Sequence, residues 1–252
     1  MLSPQPRRKE LHVTTQLLNN VDHHDLRVIT RRGRELGDAV NQVLAFPNEF
    51  ESLQRHYPIV FRKSVEGPIR PVAILGLARD ENLFLDGEGD WADDAYVPAV
   101  LQRGPFSIAT PDEPGAEPKI LVDPDHPRAS REDGTAVFLP HGGHSPYLER
   151  VIQVLRTLYD GNGLLDPVIA SFGQAGLLRP ANLHTRVSET ETYAISDVSI
   201  VDAERLAALD GAALTALHRG GFLQSAFLAA ASLGNLPRLA ERKARANARV
   251  GA

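Results

Sequence analysis

A chain of 252 residues with a formal net charge of −5 and 42% hydrophobic residues is long enough to bury a core without covalent staples. It contains no cysteine, which excludes disulfides, thiolate metal ligands and cysteine nucleophiles together. The acidic balance gives no reason to expect a nucleic-acid partner.

Residues 1–13 read as a flexible tail around Pro4 and Pro6. Their basic residues are followed by no apolar run, so they lack the pattern of a secretory signal. No apolar stretch reaches the roughly 20 residues of a bilayer-spanning helix, and a cytoplasmic, non-spanning protein is expected. Residues 14–245 read as one domain and 246–252 as a flexible basic tail. Within the domain, Leu26 to Thr30 forms a short strand-like core. FPNEFESLQRHY reads as a short helix, with Pro47 in its first turn and Phe50 and Leu53 on one face. YPIVFRK reads as a strand, and PVAILGL as a strand buried on both faces. NLFL, before the turn residues Asp86 to Gly89, is expected to pair with PVAILGLA as a hairpin.

Residues 110–134 are rich in Pro, Asp and Glu and read as a surface excursion around one short strand, KILVD. AVFL is a further short strand. Helical patterns dominate from Ser145 to about Ala175 and from Ala203 to about Asn247, with NLHTRV and ETYAISDVSIVD as two strands between them. Strands first and helices later predict an α+β fold: a small mixed or antiparallel sheet from the N-terminal two thirds, packed with helices of the C-terminal third.

Two histidine clusters raise the question of a metal. His141-Gly-Gly-His144 precedes Ser145-Pro146 and a run with helical spacing, Leu148, Val151, Ile152, Leu155 and Leu158. Serine as N-cap with proline at the first helical position is a helix start, so HGGH reads as the turn that feeds a helix, with metal ligation the alternative. In Asp22-His23-His24-Asp25, the pair His23-x-Asp25 matches the short element of two-histidine-one-carboxylate iron sites. The distal ligand would be His144, or His141, His184 or His218. The competing reading is a surface turn before a strand. Gly87-Glu88-Gly89 is a turn and not a phosphate loop, and no Gly-x-Ser-x-Gly elbow occurs. Asp93-Asp94 reads as a solvated pair. Trp91, Tyr96 and Phe106 read as core anchors, and PRLAERKARANARVGA as a solvated basic helix end.

In chain order, HHDLRV, EFESLQRHYPIVF, PVAILGLARDENLFLDGEGDWADDAYVPAVLQRGPF, ILVD, GTAVFLPHGGHSPYLERV, FGQAGLLRP and SIVDAERLAALDGAALTALHRGGFLQSAFLAAASLGNLPRL resemble the SapC-like family. The likeness runs from about residue 14 to 245, and Asn82 to Phe106 is its most specific block. Gln102-Arg103-Gly104 stands where the family has a run like Arg-Arg-Tyr, leaving Arg103 as the surviving basic candidate. HGGH stands where the family has an acidic, glycine-containing turn, which supports the turn reading.

The resemblance implies a surface-layer-related protein. Family members are encoded near TonB-dependent receptors, tryptophan-halogenase-like flavoproteins and cupin-like proteins. It carries over no catalytic residues. Three functions follow as expectations. The first is an accessory protein with no cofactor, binding a protein or peptide in a groove near Trp91, Tyr96, Arg103 and Phe106; its partner would be a TonB-dependent receptor or a flavin-dependent halogenase-like enzyme. The second is an Fe(II)- and 2-oxoglutarate-dependent protein hydroxylase using His23, Asp25 and a distal histidine such as His144. The third is a structural surface-layer component.

Overall fold

A computed structural model describes residues 15–63, 67–85, 90–92, 95–109 and 118–250. The N-terminal tail, the Asp86 to Gly89 turn, Asp93-Asp94 and residues 110–117 of the acidic excursion lie outside the described residues. The strands are Gln16–Leu17 (β1), Arg27–Val28 (β2), Gln42–Leu44 (β3), Ile59–Lys63 (β4), Ile69–Ile74 (β5), Phe106–Ala109 (β6), Lys119–Val122 (β7), Ala129–Ser130 (β8), Thr135–Ala136 (β9), Leu178–Arg186 (β10) and Thr192–Val201 (β11). The helices are Phe50–Leu53 (α1), Ala99–Gln102 (α2), Pro146–Gln174 (α3), Ala203–Ala207 (α4), Gly211–Arg219 (α5), Leu223–Ser232 (α6) and Leu236–Val250 (α7). Helices combined with antiparallel sheets make the α+β class. Among the described residues, no helix is long and apolar enough to cross a membrane.

The chain divides into two compact units, each assembled from two stretches of sequence. The first takes residues 1–30 and 105–149, the second 31–104 and 150–252. The first unit holds two small antiparallel sheets, ordered β1-β7-β6 and β8-β2-β9. Backbone bonds lock β2 in the middle of its sheet. Ile29 N donates to Arg128 O (2.9 Å) and Val137 N to Leu26 O (3.0 Å), while the Arg128 guanidinium donates back to Ile29 O (2.9 Å). At Gly134 (φ 101°) a Cβ would lie 2.3 Å from Val28 O, so glycine is required on both counts.

The second unit is built on a five-stranded antiparallel sheet, β10-β11-β4-β5-β3. Ile59, Val60 and Phe61 of β4 are all buried, as a β-branched and aromatic run at the middle of a sheet must be. Phe172 of α3 meets Phe61 edge-on, with centroids 5.8 Å apart. The β4 entry is pinned to α6, where Ile59 N donates to Ser232 Oγ (2.8 Å). The expected hairpin between PVAILGLA and NLFL does not form. β5 already has β4 on one side and β3 on the other, so neither edge is open to NLFL. One bond, from Leu83 N to Leu75 O (3.0 Å), is what remains of that pairing.

The helical pattern from Ala203 to Asn247 resolves into four helices. Asp202 accepts from the amides of Glu204 and Arg205, and Asp210 from that of Ala213, so each opens a new helix as an N-cap. Gly221, with φ of 77°, ends α5. Residues 246–250, grouped above with the basic tail, continue α7.

Candidate functional site

The HGGH stretch is a hairpin turn. Leu139 N donates to Gly143 O and Gly142 N to Leu139 O, both at 3.0 Å. Gly142 and Gly143 have φ of 83° and 87°, which glycine adopts at little cost. Ser145 Oγ then accepts from Leu148 N (3.2 Å) and donates to Ala136 O (2.7 Å), capping α3 as its spacing predicts.

The residues proposed for iron are not brought together. His23 is buried. Its Nδ1 lies 3.3 Å from the Asn19 amide and 3.2 Å from the Asn19 carbonyl, and its Nε2 lies 3.3 Å from Gln16 Oε1. Asp25 is paired with Arg131, whose hydrogen bond holds the Asp25 carboxyl below its usual range. The His144 ring leans on Phe138, with centroids 6.3 Å apart, and lines a shallow cleft with Leu17 and Ile120. Among the described residues, no three His, Asp or Glu side chains form a group able to hold a metal ion. His23, Asp25 and His144 do not fit an Fe(II) ligand set.

Of the four residues expected to line a groove, Phe106 is fully buried and belongs to the first unit, where it packs near Tyr147. It is a core residue. Tyr96 serves a lock inside the second unit. Its hydroxyl donates to Glu49 Oε2 (3.1 Å) and its carbonyl accepts from the buried Tyr57 hydroxyl. Glu49 also accepts from the amides of Ala99 (3.1 Å) and Phe46 (3.2 Å). Burial pushes the Glu49 carboxyl above its ordinary pKa despite these three donors, and burial beside Glu49 raises the Tyr96 phenol. Arg103 is partly buried at the end of α2, its amide donating to Ala99 O (3.1 Å).

Trp91 leads to a cleft. It is 9% exposed and stacks with Phe84, with centroids 6.3 Å apart and planes 21° from parallel. Among the described residues, Trp91 Nε1 is buried without a hydrogen-bond partner. Phe84 also meets Tyr57 edge-on at 4.5 Å, and the Arg242 guanidinium carbon sits 4.4 Å above its ring. The loop bearing Phe84 is shaped by Glu81. Its Oε2 accepts from the amides of Leu77 (2.9 Å) and Ala78 (3.1 Å), while its Oε1 accepts from Lys243 Nζ (2.7 Å). Gly76 permits the approach, because a Cβ there would lie 2.3 Å from Glu81 O. Asn82 completes the loop, donating to Asp38 O (2.8 Å) and accepting from Phe84 N (3.0 Å).

The resulting cleft, of about 480 Å³, runs between this loop and α7. Leu83, Phe84, Leu85 and Ala92 give it an apolar floor. Among the described residues, Arg34, Arg242, Lys243, Arg245 and Arg249 bring five cations to its walls, against the carboxylate of Glu81. Burial works against the charge on Lys243, but the Glu81 carboxylate overrides it and holds the amine above its usual pKa. At 2.7 Å, the pair ties the loop to α7 as a strut.

None of the four residues expected to line a groove is among the described residues that line this cleft; Trp91 stacks on its floor residue Phe84. Arg242, Arg245 and Arg249 were visible only as part of a basic helix end. Their spacing of three and then four residues, which puts them on one helix face, was the signal available.

No curated protein and no solved structure matches the chain significantly. The SapC family profile matches residues 18–239, a span that includes the Glu81 loop and stops short of Arg242, Lys243, Arg245 and Arg249. With nearly nine tenths of its length under that match, the chain belongs to the SapC family.

Proposed function

We propose that this protein is a binding or accessory member of its family, and that it captures a peptide segment of a protein partner in the cleft between the Glu81 loop and α7. The supporting observation is the cleft itself, with an apolar floor and charged walls. A concave site of this size, mostly apolar underneath with a few placed polar groups, is the ordinary form of a ligand pocket. Its walls are held before any ligand arrives, by the Glu81–Lys243 strut and by Arg242 over Phe84, which lowers the ordering cost of binding. The partners to try first are those the family resemblance suggests, a TonB-dependent receptor before export or a halogenase-like flavoprotein, met in the cytoplasm.

Site-specific photo-cross-linking in the native host tests the reading. A photoreactive residue in place of exposed Arg249, on the cleft wall, is expected to trap a discrete partner identifiable by mass spectrometry. The same residue in place of exposed Tyr159, on α3, is expected to trap none. Equal labelling from the two positions, or no adduct from position 249, would refute capture at this cleft.

A further inference from the structure

We propose that the cleft selects acidic peptides, its α7 arginines reading carboxylates while an apolar side chain between them enters the floor at Leu83, Phe84 and Leu85. The inference deepens the peptide-capture reading of the same cleft and rests on it.

The four cations of α7 divide into two kinds by what already engages them, while Arg34 donates to Asp80 O (3.1 Å). Lys243 is committed to Glu81 at 2.7 Å, and Arg242 lies over the Phe84 ring. These two hold the cleft together. Arg245 and Arg249 are exposed and make no hydrogen bond or ion pair among the described residues. They face the cleft from the same side of α7. At 1.5 Å of rise per residue, Arg245 and Arg249 stand about 6 Å apart along the helix. An extended peptide advances about 3.3 Å per residue with side chains on alternating faces, so acidic side chains two residues apart match that spacing, and the residue between them turns to the floor. Guanidinium groups are matched to carboxylates by their planar fork of donors, which a row of lysines would not offer.

Two features single out this occupant. The chain carries a net charge of −5, so a wall whose described residues bring five cations and one carboxylate is a local arrangement and not a by-product of composition. The described aromatic ring in the floor, Phe84, is covered by Arg242. It offers no open face on which bases could stack, as a single-stranded nucleic acid would require.

The test is selection from a display library of random short peptides on the purified wild-type protein, with R245E/R249E as counter-target. Both positions are exposed, and an unchanged circular dichroism spectrum confirms that the variant folds. The enriched peptides are then titrated by the emission of Trp91, the chain's one tryptophan, which stacks on the floor residue Phe84. The expected result is enrichment in Asp and Glu, binding at least about tenfold weaker in R245E/R249E, and affinity that falls as salt rises. Recovery of apolar, acid-free peptides by both proteins alike would overturn the acidic inference and leave peptide capture standing. Recovery of no peptide would overturn both.

Discussion

At Gly161, α3 passes so close to the turn before α1 that no side chain fits. A Cβ there would lie 2.6 Å from Asn48 Oδ1 and 2.7 Å from Phe46 Cβ. Asn48 is itself anchored, its amide donating to Thr157 O at 2.9 Å. Gly163, two residues on, has nothing within 4 Å of the same construction. Alanine is the better helix former by about 1 kcal/mol, so the pair separates packing from propensity. G161A is expected to destabilise by about 1–3 kcal/mol through overpacking, and G163A to stabilise by up to about 1 kcal/mol. Urea unfolding of the two variants checks this, and a shift of the same sign in both would sink the packing argument. Such positions are illegible in sequence, because Gly161 and Gly163 look alike until Phe46 and Asn48 are placed beside one of them. Ser145 was legible for the opposite reason. A cap acts on amides two or three residues away, so its evidence lies within one short stretch.

The Glu81–Lys243 strut joins α7 to a loop about 160 residues away in the chain. Side chains of Lys243 and Glu81 are only 11% and 17% exposed, which places the pair well away from the weak, screened surface class. Glu81 also holds two loop amides, so E81Q carries a cost of its own. A double-mutant cycle isolates the strut: E81Q and K243M are expected to couple by about 1–3 kcal/mol. Costs that simply add would show that the ion pair contributes nothing beyond its separate halves. The elements themselves were largely readable, since β4, α3 and the β10–β11 pair follow from local periodicity. Their partners were not. NLFL has the composition of a strand, yet β3 takes the β5 edge it would need, and β3 is a three-residue element with no strong signal. Asp202 and Asp210 mark the breaks in the last helical third, but within a strong apolar periodicity a capping residue is easily read as an ordinary surface position.

On the scale of the whole chain, the α+β class was legible from the order of strand and helix patterns, whereas the division into two interleaved units was not. It depends on Leu26 to Ile29 finding residues 128–137, a pairing that no local pattern encodes. β2 is the central strand of its sheet, so removing residues 1–30 deletes the partner of both β8 and β9. Fast hydrogen exchange and early proteolysis at residues 126–137 are expected in the truncated protein, with the β4 and β11 amides still protected. Unchanged protection at residues 126–137 would show that β2 is dispensable. The two walls of the cleft stand differently toward the family match. The loop takes its backbone shape from Glu81, inside the span shared with the family, while Arg242, Arg245 and Arg249 lie past Leu239, where that span ends. Arg245 and Arg249 are exposed and hold no part of the loop among the described residues, so their charge can change without unfolding it. Relatives that keep the loop but carry a different last helix would share an architecture while diverging in what they recognise, much as one handle accepts different blades.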